Sequence, residues 1–367
     1  MKDGSPSMYT MSGVDDKTEE IALKRMIPIL QDTFAYRKGV GECLIPIGHY
    51  AGIIKIAEDI GLALKTDGVG TKVFIAQMMN KYDTVGIDCV AQVVNDIICT
   101  GAEPLSVVDY LGVQESNPTL LEEITKGLRT GAKIAGVNIV GGEIAQLPDM
   151  INGVRPHYGF DLLALGVGIV HPKKIIDGHS IEANDAVIGI ASSGIHTNGM
   201  SLARNIFFKR MNFDVHKYFD ALGRTLGEEL LEPTSIYVQE FMDLIRAGIH
   251  LKNVAHITSD GLLNLARTGE NHGYVIEQLP QPYPIFELLM HYMKGLDLPE
   301  MYRVFNMGIG LCLVLPRQEI DDAIQLIEKH QKKAFVLGYA RKDPEKKIIL
   351  KPLSIIGDPK NGSFYHA

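Results

Sequence analysis

The chain has 367 residues, of which 46% are hydrophobic and 22% are charged. This length fits two domains with separate cores, and the ordinary composition excludes a mainly disordered, collagen-like or low-complexity protein. With 36 basic against 44 acidic residues and a net charge of −8, the chain lacks the overall basic character of proteins that bind nucleic acid.

The cysteines and the hydropathy pattern indicate the compartment. Cys43, Cys89, Cys99 and Cys312 form no CxxC pair, which argues against a disulfide framework and a zinc site and favours a reducing environment. The most apolar segment, 162–170, is too short to cross a membrane, and the polar N-terminus lacks the apolar core of a signal peptide. We therefore expect a cytoplasmic protein without a membrane partner.

Strand-like and helix-like segments alternate along the first half of the chain. Their hydrophobic patterns predict strands over 62–66, 105–111, 138–140 and 160–170, with helices over 82–98 and 118–135. The sequence His171-Pro172-Lys173 ends the last of these strands, so we place a domain boundary there. The expected division is an N-terminal domain of residues 1–170 and a C-terminal domain of residues 171–367.

The second half continues the alternation. Strands are predicted over 186–191, 256–258 and 307–315, helices over 201–211, 233–247 and 318–332, and a terminal hairpin over 334–340 and 348–352. Such alternation indicates mixed α/β layers and excludes a helical bundle or an all-β sandwich.

Several glycine-rich segments with a neighbouring carboxylate follow the predicted strands. Glycine lets backbone amides approach an anion closely, and a carboxylate can hold Mg²⁺ against that anion, as a nucleoside triphosphate requires. Neither GxxxxGK[ST] nor GxGxxG occurs in the sequence. A P-loop enzyme and a Rossmann protein are therefore not supported.

The first such segment is the loop 67–72, DGVGTK. We assign Asp67 to a metal ion, Gly68 and Gly70 to the close approach of phosphate, and Lys72 to a phosphate oxygen. The alternative is a solvated turn whose aspartate caps the next helix. An earlier loop, 38–42, contains Gly41 and is either a lid over phosphates or a flexible linker.

Two polar residues, Asn95 and Asp96, interrupt the apolar run 89–98. An unpaired buried carboxylate is costly, so a cation or a hydrogen-bond donor must compensate Asp96. A bound metal and a structural salt bridge are the two alternatives. Gly141, Gly142 and Glu143 repeat the pairing of glycines with a carboxylate at another predicted strand end, and Asp161 opens the next strand.

The segment 192–199, SSGIHTNG, follows the first strand of the second half. Small polar residues flank its His196, which suits general acid/base chemistry or binding of a phosphate by an imidazole. The alternative is a histidine whose hydrogen bonds are satisfied within the protein.

Taken in order, these segments resemble one family, phosphoribosylformylglycinamidine cyclo-ligase, also called aminoimidazole ribonucleotide synthetase. The likeness covers most of the chain and is carried by the segments 66–72, 84–111, 140–150, 160–170, 192–204 and 301–310. The stretch NDI followed by GAEPL is shared in outline with selenophosphate synthetase and thiamine-monophosphate kinase. The longer stretch through DYL and the segment SSGIHTNGMSL are much more specific to the cyclo-ligase.

The resemblance implies a mixed α/β fold with two domains. The N-terminal sheet would pair across a homodimer into a barrel, and the C-terminal α/β domain would complete the active-site cleft. The implied activity is the ATP-dependent cyclisation of formylglycinamidine ribonucleotide to 5-aminoimidazole ribonucleotide, with release of ADP and phosphate, in purine biosynthesis. The alternative is a related ATP-dependent small-molecule kinase or synthetase.

The resemblance also implies ATP and Mg²⁺ as cofactors and a set of site residues. The expected metal ligands are Asp67, Asp96 and Glu143. The expected catalytic residues are His196, Asp96 and Lys72. The residues expected to bind ATP or its phosphates are Asp67, Gly68, Gly70, Thr71, Lys72, Gly41, Asn95 and Gly142. The residues expected to bind the substrate are Ser193, Asn198 and Asp161.

A few positions depart from the family pattern. Ile27 falls about where a lysine is often found, Ile144 stands where a threonine usually follows GGE, and Ser259-Asp260 occupies a place often filled by two glycines. These departures are either variation within a working enzyme or marks of a paralogue with another substrate.

Overall fold

The computed structural model describes residues 8–13 and 16–367. The first residues of the polar N-terminus, on which the expectation about a signal peptide rests, lie outside these ranges. No helix in the described ranges is both long enough and apolar enough to cross a membrane.

The first half of the chain forms a five-stranded sheet. Its strands are β1 Gly52–Lys55, β2 Gly61–Gly68, β3 Glu103–Val113, β4 Asn138–Gln146 and β5 Phe160–Val170, in the order β1-β2-β5-β3-β4. The central strand β5 is antiparallel to β2 and β3, whereas β4 runs parallel to β3. Strand β4 is longer than predicted, so Gly142 and Glu143 lie inside a strand and not in the loop after one.

The helices of this half are α1 Met8–Met11, α2 Asp16–Gln31, α3 Val73–Met79, α4 Asp83–Ile98 and α5 Pro118–Ala135. The ends of α5 follow from local chemistry, because the Asn117 side chain accepts hydrogen bonds from the first-turn amides and Gly136 closes the helix in the left-handed region at φ 72°. Helix α4 packs on the sheet, with α5 against it.

Alternate residues of β5 show how the sheet is covered. Leu162 and Ala164 are fully buried on the face under α4, which we call the inner face. Leu165 and Ile169 point to the opposite face, which we call the outer face, and each is 37% exposed.

The second half forms an eight-stranded sheet in the order β15-β14-β13-β10-β12-β6-β11-β9. Its strands are β6 Ala186–Ala191, β9 Asn253–His256, β10 His272–Ile276, β11 Ile309–Leu315, β12 Ala334–Lys342, β13 Ile348–Leu350, β14 Ile355–Asp358 and β15 Ser363–His366. A separate ribbon pairs β7 Tyr218–Phe219 with β8 Arg224–Thr225. The helices are α6 Met200–Arg204, α7 Leu226–Leu230, α8 Val238–Arg246, α9 Pro284–Tyr292, α10 Leu298–Val304 and α11 Ile320–Glu328.

The predicted terminal hairpin is wrong. Strands β12 and β13 are not neighbours, because β10 lies between them, antiparallel to β12 and parallel to β13. The turn chemistry itself is present, since the Lys346 N–H donates to the Asp343 carbonyl oxygen. A local turn signal cannot reveal that a strand from earlier in the chain inserts between its two arms.

Two helix predictions differ most from the structure. The segment predicted as helix 201–211 is α6 followed by a π-helical stretch, Asn205–Arg210. The helix predicted over 233–247 begins only at Val238, because the preceding backbone hydrogen-bonds to α4 instead of to a helical turn. One large apolar core spans both halves, and it includes Val90 and Val94 of α4 together with Leu313 of β11.

Candidate functional site

A stripe of polar side chains on α4 faces the second half of the chain. Asp88, Gln92, Asn95 and Asp96 follow one another at helical spacing, so they lie on one face of α4. Their exposed fractions are only 0%, 3%, 0% and 4%. Buried polar groups of this kind need hydrogen-bond partners, and we call these four residues the α4 stripe.

Several partners of the α4 stripe come from the second half. The Asn95 amide nitrogen donates to the Ser235 carbonyl oxygen at 2.8 Å, and the Asn95 amide oxygen accepts from the Tyr237 N–H at 3.0 Å. Gln92 donates to the Thr197 hydroxyl. The stripe therefore fixes the two halves in one relative position.

At the end of the stripe, Lys65 lies between two carboxylates. Its Nζ is 2.8 Å from Asp96 Oδ2 and 3.2 Å from Asp67 Oδ2. The second oxygen of Asp96 is 2.8 Å from His256 Nδ1. Lys65 and Asp67 are two residues apart on β2, so both side chains point to the inner face. We call Lys65, Asp67, Asp96 and His256 the Lys65 cluster.

Asp96 and Lys65, the two central members of the cluster, stabilise each other's charge. Burial by itself would raise the pKa of Asp96, but His256 and Lys65 outweigh it, and the pKa of Asp96 is lowered. Burial likewise disfavours the charged ammonium, but Asp96 and Asp67 raise the pKa of Lys65. Asp96 is therefore a carboxylate and Lys65 an ammonium at neutral pH.

The carboxylates of this cluster fit Mg²⁺ held together with phosphate. Mg²⁺ is usually bound by one or two carboxylates and completed by water and substrate phosphates. Asp67 and Asp96 supply such a pair and already hold one cation, the Lys65 ammonium. In the described ranges no three His, Cys, Asp or Glu side chains converge into a metal-binding group, so phosphate and water would have to complete the coordination.

Glu143, the third predicted metal ligand, lies elsewhere in the chain. It sits on β4 opposite Tyr110 of β3, whereas Asp67 sits on β2 opposite Ala164 of β5. Three strand spacings separate β2 from β4, which amounts to about 14 Å. The structure therefore does not bring Glu143 to Asp67 and Asp96 within one chain.

The predicted phosphate loop directly follows Asp67. The Gly68 N–H donates to Asp67 Oδ1 at 2.8 Å, and Gly70 has φ +67°, in the left-handed region that favours glycine. No heavy atom of the described residues lies within 4 Å of the place where a Cβ of Gly70 would stand. The Thr71 hydroxyl is 3.1 Å from the Ser201 hydroxyl, so α6 supports the far side of the loop.

Lys72 ends this loop but points into the protein. Its side chain is 0% exposed, with Nζ 2.9 Å from Asp88 Oδ2 and 2.6 Å from the Glu232 carbonyl oxygen. The loop therefore presents backbone groups and the Thr71 hydroxyl, whereas the ammonium of Lys72 joins the loop to the α4 stripe and to the second half.

His196 is 2% exposed and has φ 67°, which is unusual for a residue with a side chain. Its Nε2 accepts a hydrogen bond from the Ser193 N–H at 3.2 Å, while its Nδ1 is buried without a hydrogen-bond partner among the described residues. Burial, followed by the charges of His256 and Lys72, holds the pKa of His196 well below its usual value. A neutral imidazole that accepts a backbone hydrogen bond is arranged to hold its loop.

The other predicted residues are dispersed. The Gly41 N–H donates to the Lys55 carbonyl oxygen at 2.7 Å, so the loop 38–42 is fixed to β1. At Gly142 a Cβ would lie 2.4 Å from Asp109 Oδ1. The Ser193 hydroxyl donates to the Pro233 carbonyl oxygen at 2.5 Å. Asp161 is exposed on the outer face, and Asn198 is half-buried before α6.

Sequence reasoning missed three of the residues that build this region: Lys65, Asp88 and His256. The sequence contains a pattern that could have identified Asp88, since its spacing to Gln92 and Asn95 places all three on one face of an otherwise apolar helix. The pattern around Lys65 is weaker, namely a charged residue at an inward-facing position of β2. His256 had no local signal, because only the fold brings β9 to the end of α4.

Both halves of the chain match family models. The model described as AIR synthase related protein, N-terminal domain, matches residues 48–170, and the corresponding C-terminal domain model matches residues 182–351. A protein of Methanothermobacter thermautotrophicus named phosphoribosylformylglycinamidine cyclo-ligase is 43% identical over 87% of this chain and 90% of its own length. One of the same name from Thermococcus kodakarensis is 45% identical over 92% of this chain and 96% of its own length.

Solved structures share the fold at lower identity. A protein of Thermus thermophilus matches with a TM-score of 0.60 and 20% identity, over 91% of this chain and 96% of its own. T. maritima PurL complexed with ATP matches with a TM-score of 0.56 and 14% identity, over 85% of this chain and 46% of its own. At these identities the likeness establishes the architecture alone.

Proposed function

This chain belongs to the phosphoribosylformylglycinamidine cyclo-ligase family, and on that premise we propose how its two halves perform the reaction of that family. The enzyme uses ATP to cyclise formylglycinamidine ribonucleotide to 5-aminoimidazole ribonucleotide, releasing ADP and phosphate, in purine biosynthesis. The observation that carries this assignment is the identity of 43% and 45% to two cyclo-ligases over nearly their whole length. It favours the cyclo-ligase over a related kinase or synthetase.

We place the ATP phosphates at the loop that follows β2. The Gly68 and Gly70 backbones permit close approach of the phosphates, and Thr71 adds a hydroxyl supported by Ser201. Mg²⁺, held by Asp67 and Asp96, would neutralise the phosphate charge. His256 orients Asp96 through the contact between its Nδ1 and Asp96 Oδ1.

The remaining chemistry is activation of the formyl oxygen, attack by an amidine nitrogen and loss of phosphate, for which the chain must hold the reacting groups in line and exclude water. We propose that His196 and Asn95 do this by fixing the backbone around Ser193, Ser235 and Tyr237. Lys72 fixes the base of the phosphate loop from within the protein.

Other predicted roles stay proposals. Gly41 and Gly142 are candidate nucleotide-binding positions, and Ser193, Asn198 and Asp161 are candidate substrate contacts. Glu143 is too far from Asp67 in the same chain, so a role as metal ligand would require a second copy. The division into domains 1–170 and 171–367 and a cytoplasmic location, which the four free cysteines favour, are also proposed.

We propose that the enzyme is a homodimer formed through the outer face of the five-stranded sheet. That face carries exposed apolar side chains of β5, since Leu165 and Ile169 are both 37% exposed. Val108 and Tyr110 lie opposite Leu165 and Leu163 on the same face. A second sheet packed on this surface would remove it from water.

The test is to incubate the protein with Mg²⁺, ATP and formylglycinamidine ribonucleotide and to follow ADP and the aminoimidazole product together. We expect both in equal amounts, and we expect Asp96→Asn to lower kcat by about 10²–10³-fold, as loss of an electrostatic group at a phosphoryl-transfer site does. Asp321→Asn on α11 is the control and should leave kcat unchanged. ADP without the aminoimidazole would contradict the cyclo-ligase assignment and favour a kinase.

A further inference from the structure

Every carboxylate oxygen of Asp96 has a partner in this structure. His256 Nδ1 contacts Oδ1 at 2.8 Å, and Lys65 Nζ contacts Oδ2 at 2.8 Å. Asp67 also contacts Lys65, at 3.2 Å. The carboxylate pair to which we assigned the metal therefore already holds a cation of the protein itself, and a metal ion bound to the same oxygens would compete with that ammonium.

We infer that Lys65 is a nucleotide-binding residue whose ammonium neutralises Asp67 and Asp96 in the empty enzyme and transfers to a phosphate oxygen when the metal–nucleotide complex binds. The inference rests on the proposed function, because it requires a nucleotide at the loop after β2. It adds a residue to the site that neither the sequence motifs nor the matching segments singled out.

The charge balance supports this exchange. Asp67, Asp96 and Lys65 together carry a net charge of −1, so a divalent cation can replace the ammonium favourably at the carboxylates. The released ammonium then needs an anion, because a lysine without a partner in a largely buried place is costly. The nucleotide would supply phosphate oxygens next to Asp67, which is two residues from Lys65 on β2.

The surroundings of Lys65 allow it to move, in contrast to those of Lys72. The side chain of Lys65 is 21% exposed, and within the described part of the chain its ammonium is held by the two carboxylates alone. Lys72 is 0% exposed and is additionally held by the Glu232 carbonyl oxygen. Lys65 thus has two partners that a bound cation would take away, whereas Lys72 has a backbone anchor that nothing would displace.

Removal of the ammonium should change two affinities in opposite directions. Lys65→Met removes the competitor at the carboxylates, so we expect Mn²⁺ alone to bind about tenfold more tightly, the effect of one lost charge close to the site. The same substitution removes a phosphate contact, so we expect a nonhydrolysable ATP analogue with Mg²⁺ to bind about tenfold more weakly. A purely structural lysine would not give opposite signs.

Lys65→Arg extends the test. A guanidinium binds two carboxylates with several fixed donors, so it should hold Asp67 and Asp96 more firmly than an ammonium does. We therefore expect Mn²⁺ to bind most tightly to Lys65→Met, less tightly to the wild type and least tightly to Lys65→Arg. Lys81→Met is the control, because Lys81 pairs with Asp83 at 2.8 Å at an exposed place, and it should leave both affinities unchanged.

The measurements are electron paramagnetic resonance of Mn²⁺ with the nucleotide-free protein and calorimetric titration with the nucleotide analogue. Thermal unfolding of each variant shows whether it is folded. If Lys65→Met does not fold, the Mn²⁺ affinity of Lys65→Arg tests the inference. Equal Mn²⁺ affinity in wild type and the folded variants, or changes of both affinities in the same direction in Lys65→Met, would refute the inference. Failure of the wild type to bind the analogue would also refute the inference, whereas the product assay on the wild-type enzyme judges the cyclo-ligase assignment separately.

Discussion

A single carboxylate oxygen, Asp88 Oδ1, accepts three hydrogen bonds in the interior. Lys72 Nζ donates at 3.0 Å, and the Thr234 N–H and hydroxyl donate at 2.8 Å and 2.7 Å. Asp88 and Lys72 are both completely buried. Residues of the phosphate loop, the α4 stripe and the second half thus meet at one point, and loss of the Asp88 carboxylate would take a partner from both Lys72 and Thr234.

Asp88→Asn should therefore destabilise the protein strongly. The neutral amide cannot balance the buried Lys72 ammonium, and breaking one side of a buried ion pair typically costs about 3–5 kcal/mol. Urea denaturation measures the free energy of unfolding. Asp83→Asn, which breaks an exposed pair with Lys81, should cost less than about 1 kcal/mol. Similar losses in the two variants would show that the Asp88 contacts contribute little.

His196 supplies a prediction about pH. Its pKa in the folded protein lies well below the value of about 6.5 that it has when unfolded. Between these two values only the unfolded chain takes up the proton, so stability falls as the pH is lowered through 6.5. Relative to His196→Asn, which tolerates the positive φ, the wild type should lose up to about 1.4 kcal/mol per pH unit in this range.

Chemical denaturation between pH 7.5 and pH 5 tests this prediction. His179→Asn is the comparison, because the His179 side chain is 66% exposed and its removal should leave the slope unchanged. A wild type and His196→Asn with parallel stability profiles would mean that His196 can be protonated inside the folded protein.

Among single residues, sequence reasoning found those with a motif around them. Asp67 and Asp96 stand in recognisable segments, and the structure places both against Lys65. Lys65 and His256 escaped because their importance comes from contacts between β2, α4 and β9, which are far apart in the chain. Sequence reasoning also singled out Lys72 and His196, but it did not predict that their side chains are buried. Their burial depends on how the second half covers α4.

At the scale of elements, two glycines allow α4 and α5 to pack at very short distance. A Cβ at Gly127 would lie 1.9 Å from the Asp83 carbonyl oxygen, and one at Gly86 would lie 2.4 Å from the Ile124 carbonyl oxygen. In both cases the obstacle is backbone, which cannot rotate away. The close contact holds α4 in the place from which its polar stripe reaches the second half.

Gly127→Ala should separate the two helices. The alanine methyl would force a backbone shift, and overpacking of this kind costs about 1–3 kcal/mol or more. Gly141→Ala is the control, because its Cβ position has no heavy atom of the described chain within 4 Å, and β4 should accept it with little change. Thermal unfolding of both variants gives the comparison, and equal melting temperatures would contradict the packing argument.

The helices α4 and α5 were predicted closely because their signals are local. Asn117, Pro118 and Gly136 mark the ends of α5, and apolar residues mark the length of α4. The strands of the second sheet were predicted less well, since β10 reaches its place between β12 and β13 through long-range pairing. Local periodicity identifies an element, but it does not give its neighbours.

At the scale of the whole molecule, the outer face of the first sheet predicts self-association. Leu165→Glu would bury a charge at the centre of the proposed dimer interface, which is strongly unfavourable without a partner. We expect the wild type to sediment as a dimer and the variant as a monomer in analytical ultracentrifugation. Val336→Glu, at a position that is 38% exposed on the second sheet, should remain dimeric. A monomeric wild type would refute the homodimer.

The α4 stripe constrains how the two halves can vary. Asp88 accepts a hydrogen bond from the Thr234 N–H, whereas Gln92 and Asn95 donate to the Thr197 hydroxyl and the Ser235 carbonyl oxygen. A chimera that joined the first half of this enzyme to the second half of a distant relative would be functional only if these partners matched. Across aligned relatives, a change at Asp88 should be accompanied by changes at Lys72 and Thr234, so that the two halves are inherited together.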